Sequence, residues 1–122
     1  MKLAIVGSVT LAGCDAARSL IREVLERYHP DLVISGGAAG IDTMARMEAE
    51  AMGIAVQEFL PARPRWGDGY RPRNLKIAGA CDVLIRIVDP DSKTYGSGWT
   101  RDRAVEMGKL TEEFEVRPNV QL

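Results

Sequence analysis

Residues 34–42, with the sequence ISGGAAGID, decide the fold, because they lead from an apolar run at 32–34 through a glycine-rich turn into a helical pattern. Glycine lets the backbone approach a ligand closely, since it has no Cβ and adopts positive φ without steric penalty. A helix that begins after such a turn presents free N–H groups and the positive end of its dipole to anions. The segment therefore predicts a strand, a ligand-binding turn and a helix, in which Asp42 either caps the helix or contacts a ribose.

Two further turns of this type occur in the chain. Gly7-Ser8 follows the first apolar run, and the sequence GSG at 96–98 precedes the last helical pattern. Small and hydroxyl residues suit phosphate, and the alternatives are a plain tight turn at Gly7-Ser8 and an ordinary N-cap at Ser97. Three such turns predict a nucleotide or another phosphorylated ligand. The candidate binding residues in the turns are Gly7, Ser8, Gly36, Gly37, Gly40, Asp42, Gly96, Ser97, Gly98 and Thr100.

The bulk composition narrows the class of protein. A length of 122 residues suits one domain, and a net charge of −1 provides no global field that favours nucleic acid. The chain has no apolar run of about 18 residues, and the apolar start is too short for a signal peptide, so we expect no membrane span. Cys14 and Cys81 lack metal-ligand spacing, and His29 precedes a proline in a turn. These features predict a cytoplasmic, reduced protein without a metal or cofactor.

Apolar runs and helical patterns alternate, which is typical of a parallel sheet with crossover helices. The runs predict strands near 2–6, 32–35, 55–60, 82–88 and 110–116, and helices near 17–28, 41–52, 73–79 and 99–107. Right-handed crossovers then predict an α/β, Rossmann-like, three-layer αβα domain over residues 1–116, with strand order 3-2-1-4-5 and a tail at 117–122. The glycine turns and the loops at 61–72 and 89–98 would meet at the carboxyl ends of the strands, where such sheets bind ligands.

A basic cluster follows the third predicted strand and is interleaved with Trp66 and Tyr70. Arginine suits phosphate through planar bidentate contacts, and aromatic rings stack on bases. The alternative is a solvated loop whose aromatic rings pack on the sheet. No nucleophile, base and orienting group occur together, so the sequence favours binding over catalysis. The basic cluster consists of Arg63, Arg65, Arg71, Arg73 and Lys76.

In their order along the chain, the motifs resemble the SLOG superfamily of Rossmann-like domains, which includes YspA-like proteins, lonely-guy phosphoribohydrolases and the DNA-processing protein A domain. The likeness covers about residues 1–116 and is greatest to the YspA-like branch. It implies a nucleotide-derived ligand at the strand carboxyl ends, a homodimer, and binding roles for Arg73 and Asn74. The motifs that carry it are Gly7-Ser8, the segment 35–42, Trp66 with Arg73-Asn74, the segment 81–85, Gly96-Ser97 with Thr100, Ala104, and Gly108-Lys109.

The chain departs from these relatives at positions that bear on activity. The frequent arginine after Gly-Ser is Val9 here, and the family's glycine-threonine turn carries serine. Lonely-guy enzymes cut an N-glycosidic bond with an arginine and a glutamate. Arg73 matches the arginine, but the glutamate position falls near Trp99 or Thr100, and Asp102 is displaced along the helix.

Three hypotheses remain open at this point. The first is a domain that binds or senses a nucleotide derivative, and the second is an enzyme that cleaves a nucleoside monophosphate. The third is a single-strand nucleic-acid binder, which the slightly acidic composition does not favour. We also predict that Cys14 and Cys81 are unpaired thiols. The apolar faces of the helices at 17–28 and 41–52 are a further reason to expect a homodimer.

Overall fold

The computed structural model describes residues 1–93 and 96–118. Of the tail predicted at 117–122, residues 119–122 lie outside the described residues. Residues 94 and 95 of the loop predicted at 89–98 also lie outside them.

Five parallel strands form one sheet with the order β3-β2-β1-β4-β5, which confirms the predicted α/β architecture. The central strands are almost wholly buried, which explains why they read as continuous apolar runs. The edge strands are more exposed. The strands are β1 (Lys2–Gly7), β2 (Leu32–Ser35), β3 (Ala55–Glu58), β4 (Val83–Val88) and β5 (Leu110–Glu115).

Helices cover both faces of the sheet in pairs. The first face carries α1 (Asp15–Tyr28) and α2 (Ile41–Ala51), and the second carries α3 (Arg71–Ala80) and α4 (Gly96–Glu106). Two short helical turns, at Val9–Leu11 and Trp66–Tyr70, were not predicted. No helix in the described ranges is long and apolar enough to span a membrane.

Three helices begin earlier than the sequence predicted, and α1 does so by two residues, at Asp15. Pro72 was placed in a loop, but it is the second residue of α3, where a missing N–H breaks no helical hydrogen bond. The segment 96–98 was placed before the last helix, but α4 already begins at Gly96, so Ser97 is not its N-cap. Two of the first three residues of α4 are glycines, which lower helix propensity, so the sequence pattern did not indicate that the helix begins at Gly96.

The first face holds the larger apolar core. Fully buried side chains such as Leu3, Ile21 and Leu25 interlock between the sheet, α1 and α2. The apolar faces of α1 and α2 are therefore covered by the sheet, which removes one reason for expecting a homodimer; the homodimer stays a prediction. Both cysteines are free thiols, as predicted.

The second face holds a smaller core and more polar groups. Its buried apolar side chains are fewer and include several alanines, such as Ala4, Ala78 and Ala104. Arg73, Asn74 and Thr100 are buried among them. Small side chains and buried polar groups leave room on this face, at the carboxyl ends of the strands.

Candidate functional site

A cavity of about 570 Å³ lies at the carboxyl ends of the strands, between β1 and the second-face helices α3 and α4. The strand order reverses between β1 and β4, and open α/β sheets bind ligands at such a point. The volume is within the range of small-molecule sites. The lining residues are Val6, Gly7, Val9, Ala38, Asp42, Pro64, Arg65, Trp66, Tyr70, Arg73, Asn74, Ile77, Lys93, Gly96, Ser97 and Thr100.

The cavity brings together seven of the twelve predicted binding residues: Gly7, Asp42, Arg73, Asn74, Gly96, Ser97 and Thr100. Ser8, Gly36, Gly37, Gly40 and Gly98 do not line it. Val9, which follows Gly7-Ser8 in the chain, does line it. All three glycine-rich turns thus reach the same edge of the sheet, but only part of each turn faces the cavity.

The glycine turn at 36–40 is shaped by close packing rather than by direct exposure to the cavity. Gly40 has φ +79°, and a Cβ there would lie 2.6 Å from the Ser8 carbonyl oxygen and from the Val9 Cα. A Cβ on Gly36 would lie 2.8 Å from an Nη1 of Arg73 and an Oδ2 of Asp42. Glycine at these positions lets the turn lie against the end of β1 and fit between two charged side chains.

Ser8 ties the ends of β1 and β4 together. Its side chain is buried, and its Oγ accepts a hydrogen bond of 3.0 Å from the N–H of Asp89. Its own N–H donates to the carbonyl of Ile87 at 3.1 Å. These bonds explain why Ser8 faces away from the cavity that Gly7 lines.

Arg73 is the most constrained cation of the site. The residue is 9% exposed, and its Nη1 donates to the carbonyls of Gly36 and Phe59, the latter at 3.3 Å. Its Nε donates to Oδ1 of Asn74 at 2.6 Å, and the guanidinium lies 5.6 Å from the ring centroid of Tyr70. Burial lowers the pKa of Arg73 from its ordinary value. Nη2 donates no hydrogen bond within the described residues.

Asp42 is the one carboxylate among the described residues that line the cavity. It is 8% exposed, and its Oδ2 accepts the N–H of Ala38 at 3.2 Å, so it braces the glycine turn. Burial raises the pKa of Asp42 to about 6, against the opposing effects of the hydrogen bond from Ala38 and the charge of Arg73. The N-cap of α2 is Gly40, so Asp42 is not the N-cap but an acidic residue in the first turn of the helix.

Asp102 does not reach the site. Its side chain is 54% exposed and pairs with Arg101 at 2.9 Å. The carboxylate that a lonely-guy-like reaction would require is therefore absent from the start of α4 within the described residues.

The start of α4 contributes two hydroxyl groups with different hydrogen bonds. Oγ1 of Thr100 donates to the carbonyl of Gly96 at 2.9 Å, so its proton is used within the helix. Oγ of Ser97 instead accepts a bond of 3.0 Å from Nε of Arg86. Lys93 lines the cavity just before the helix.

A group of aromatic rings and arginines adjoins Trp66, which lines the cavity. Trp66 meets Trp99 edge to face with ring centroids 5.3 Å apart. The guanidinium groups of Arg71 and Arg103 lie 5.9 Å and 5.0 Å from the Trp99 centroid. Neither Arg103 nor a role for Trp99 was predicted from the sequence, although their spacing of four places them on one side of a helix.

The rest of the basic cluster is divided. Arg65 lines the cavity and pairs with Asp68 at 2.7 Å, and Arg63 lies 3.6 Å from the same carboxylate. Lys76 is exposed and does not line the cavity. Only part of the cluster therefore belongs to the site.

No protein-family model matches the sequence, and the comparison with curated proteins found no match. Among solved structures, the chain is similar to the X-ray structure of DNA processing protein A (DprA) from Streptococcus pneumoniae, with a TM-score of 0.71 and 23% sequence identity. The match covers 98% of this chain and 51% of that chain, so this protein spans about half its length. The likeness supports the Rossmann-like fold that the SLOG resemblance implied.

Proposed function

We propose that this protein binds a nucleotide, or another nucleotide-derived phosphorylated ligand, in the cavity at the carboxyl ends of the strands. The observation that carries this proposal is the convergence of two chemistries on one cavity. Trp66 and Tyr70 offer aromatic surface for a base, whereas Arg73 and Lys93 offer positive charge for a phosphate. The SLOG resemblance points to the same ligand class.

The charges suggest how such a ligand lies. A phosphate is attracted to the start of α4, where N–H groups, Ser97 and Lys93 meet, and to Nη2 of Arg73. The carboxylate of Asp42 repels phosphate but accepts hydrogen bonds from hydroxyl groups. We therefore place the phosphate at α4 and the ribose towards Asp42, with the base against the aromatic residues of the 66–70 turn.

Calorimetric titration with AMP, ADP-ribose and NAD tests the proposal. Lys93→Ala removes a cation from the cavity wall, and Lys76→Ala is the matched control, because Lys76 lies on the exposed side of α3. We expect Lys93→Ala to weaken binding by about 1 kcal/mol, and Lys76→Ala to bind like wild type. Arg73→Ala should cost about 1–3 kcal/mol of binding, but it also removes contacts to Gly36 and Phe59. Equal affinities in wild type and the Lys93 and Arg73 variants would place the ligand elsewhere.

A second candidate function is the binding of single-stranded nucleic acid. The observation that favours it is the group formed by Trp66, Trp99, Arg71 and Arg103 beside the cavity, because aromatic rings and arginines bind unpaired bases by stacking on them. The similar solved structure bears the name DNA processing protein A. If this function holds, a labelled oligothymidylate should bind with an affinity that falls steeply as salt rises, and Arg103→Met should weaken it.

A further inference from the structure

Arg86 is a charged residue in the middle of a strand that is otherwise apolar. It lies on β4, whose sequence is VLIRIV, and points with Leu84 towards the second face. Its side chain is only 13% exposed. A guanidinium this far from solvent needs partners, because burying a charge without them is costly.

Two bonds fix the orientation of this guanidinium. Nη1 of Arg86 donates to Oε1 of Glu113 on β5 at 2.6 Å. Nε donates to Oγ of Ser97 at 3.0 Å. Glu113 is held in turn by Arg101. The network therefore connects the edge strand of the sheet to the first turn of α4.

The bond from Arg86 determines what Ser97 can do. A serine hydroxyl has one proton to donate and two lone pairs to accept with, and Arg86 occupies one lone pair. The hydroxyl proton is left to donate, and Ser97 donates it to no acceptor within the described residues. Thr100 shows the contrast, because its proton is already given to Gly96.

A second feature of the same cavity also favours the binding of an anion. Arg73 is nine-tenths buried there and has an Nη2 that donates to no described residue. Glu113 offsets the charge of Arg86, so the groups that attract an anion here are Arg73 and the positive end of the α4 dipole. Ser97, the start of α4 and Arg73 are thus all ready to receive negative charge.

We propose that Arg86 is a positioning residue that commits the Ser97 hydroxyl to donate into the cavity, and so selects ligands that end in a phosphate group. This inference rests on the proposed function, and names phosphomonoesters as the ligand class. A nucleoside without the phosphate would lack the group to which the Ser97 hydroxyl donates its hydrogen bond.

Matched substitutions test the role of Arg86. Arg86→Met and Ser97→Ala should each weaken AMP binding about tenfold and leave adenosine binding unchanged. The double variant should lose no more affinity for AMP than either single variant, because both substitutions remove the same interaction between Ser97 and the phosphate. Arg27→Met is the control, since Arg27 pairs with Glu112 at 2.7 Å on the other side of β5. A merely structural role for Arg86 would weaken AMP and adenosine alike and would overturn the inference.

A spectroscopic measurement on wild type and Ser97→Ala covers the case in which Arg86→Met does not fold. In ¹H–¹⁵N spectra, inorganic phosphate and AMP should shift the Ser97 amide and the Arg86 Nε–H signal, and Ser97→Ala should abolish the second shift. If adenosine and AMP bind at Trp66 but phosphate leaves Ser97 unmoved, the inference fails and the proposed function stands. If none of these probes moves any cavity signal, both fail.

Discussion

The two faces of the sheet are built for different purposes. Between the sheet and α1 and α2, large aliphatic side chains such as Ile5, Ile21 and Leu25 are fully buried and pack against one another. Between the sheet and α3 and α4, alanines and buried polar groups leave a cavity of about 570 Å³. One face therefore supplies a large apolar core, whereas the other has a smaller core and holds buried polar groups around a cavity.

The largest expected effect is a difference in stability between matched isoleucines. Ile21 on the first face is fully buried, and Ile77 on the second is 1% exposed but lines the cavity. Ile21→Ala should cost about 2–5 kcal/mol, because the packed surroundings cannot collapse into the space. Ile77→Ala should cost less, since it only enlarges space that solvent already reaches.

Urea unfolding of both isoleucine variants measures this difference as a change in free energy of unfolding. A cost for Ile77→Ala that equals or exceeds that of Ile21→Ala would break the contrast between the two faces.

The next effect concerns the turn where the two faces meet. Gly40→Ala places a Cβ 2.6 Å from backbone atoms of Ser8 and Val9, at φ +79°. Gly53→Ala is the control, because Gly53 has φ +72° but no atom within 4 Å of its Cβ position. The control should lose only the backbone cost of about 1–2 kcal/mol, and Gly40→Ala should lose clearly more.

Thermal unfolding compares the two glycine variants. Similar melting temperatures for the two variants would show that the turn accommodates a Cβ at Gly40 in spite of its close approach to Ser8 and Val9.

A smaller effect should appear as a pH dependence. Burial raises the pKa of Asp42 from its ordinary 3.8 to about 6, so the folded state holds this proton more tightly than the unfolded chain. The stability due to the neutral carboxyl is complete below about pH 4 and is lost as pH rises through about 6. Asp42→Asn stays neutral, so it should gain stability relative to wild type across this window.

The measurement is the urea midpoint of wild type and Asp42→Asn at a series of pH values. Taking the difference between the two proteins cancels the titration of other carboxyl groups. A constant difference from pH 4 to pH 7 would mean that Asp42 titrates at an ordinary pKa.

The sequence predicted the sheet well, because its signals are local. The strand at Leu32–Ser35 was predicted with the bounds observed, and the strand order followed from alternating patterns and right-handed crossovers. The site was predicted less completely, because contacts between distant residues decide it. Nothing near Ser8 in the sequence shows that Asp89 binds its hydroxyl, and nothing near Ser97 shows the bond from Arg86.

Our main claim is that the ligand lies in this cavity, and a calorimetric comparison of two glycine variants tests it. A Cβ at Gly96 would lie 3.7 Å from Nδ2 of Asn74, so the side chain in Gly96→Val points into the cavity. Gly79→Val is the control, because no atom lies within 4 Å of that Cβ position. Titration with AMP should show at least about a tenfold loss of affinity in Gly96→Val and none in Gly79→Val. Binding of AMP to Gly96→Val with wild-type affinity would contradict the claim.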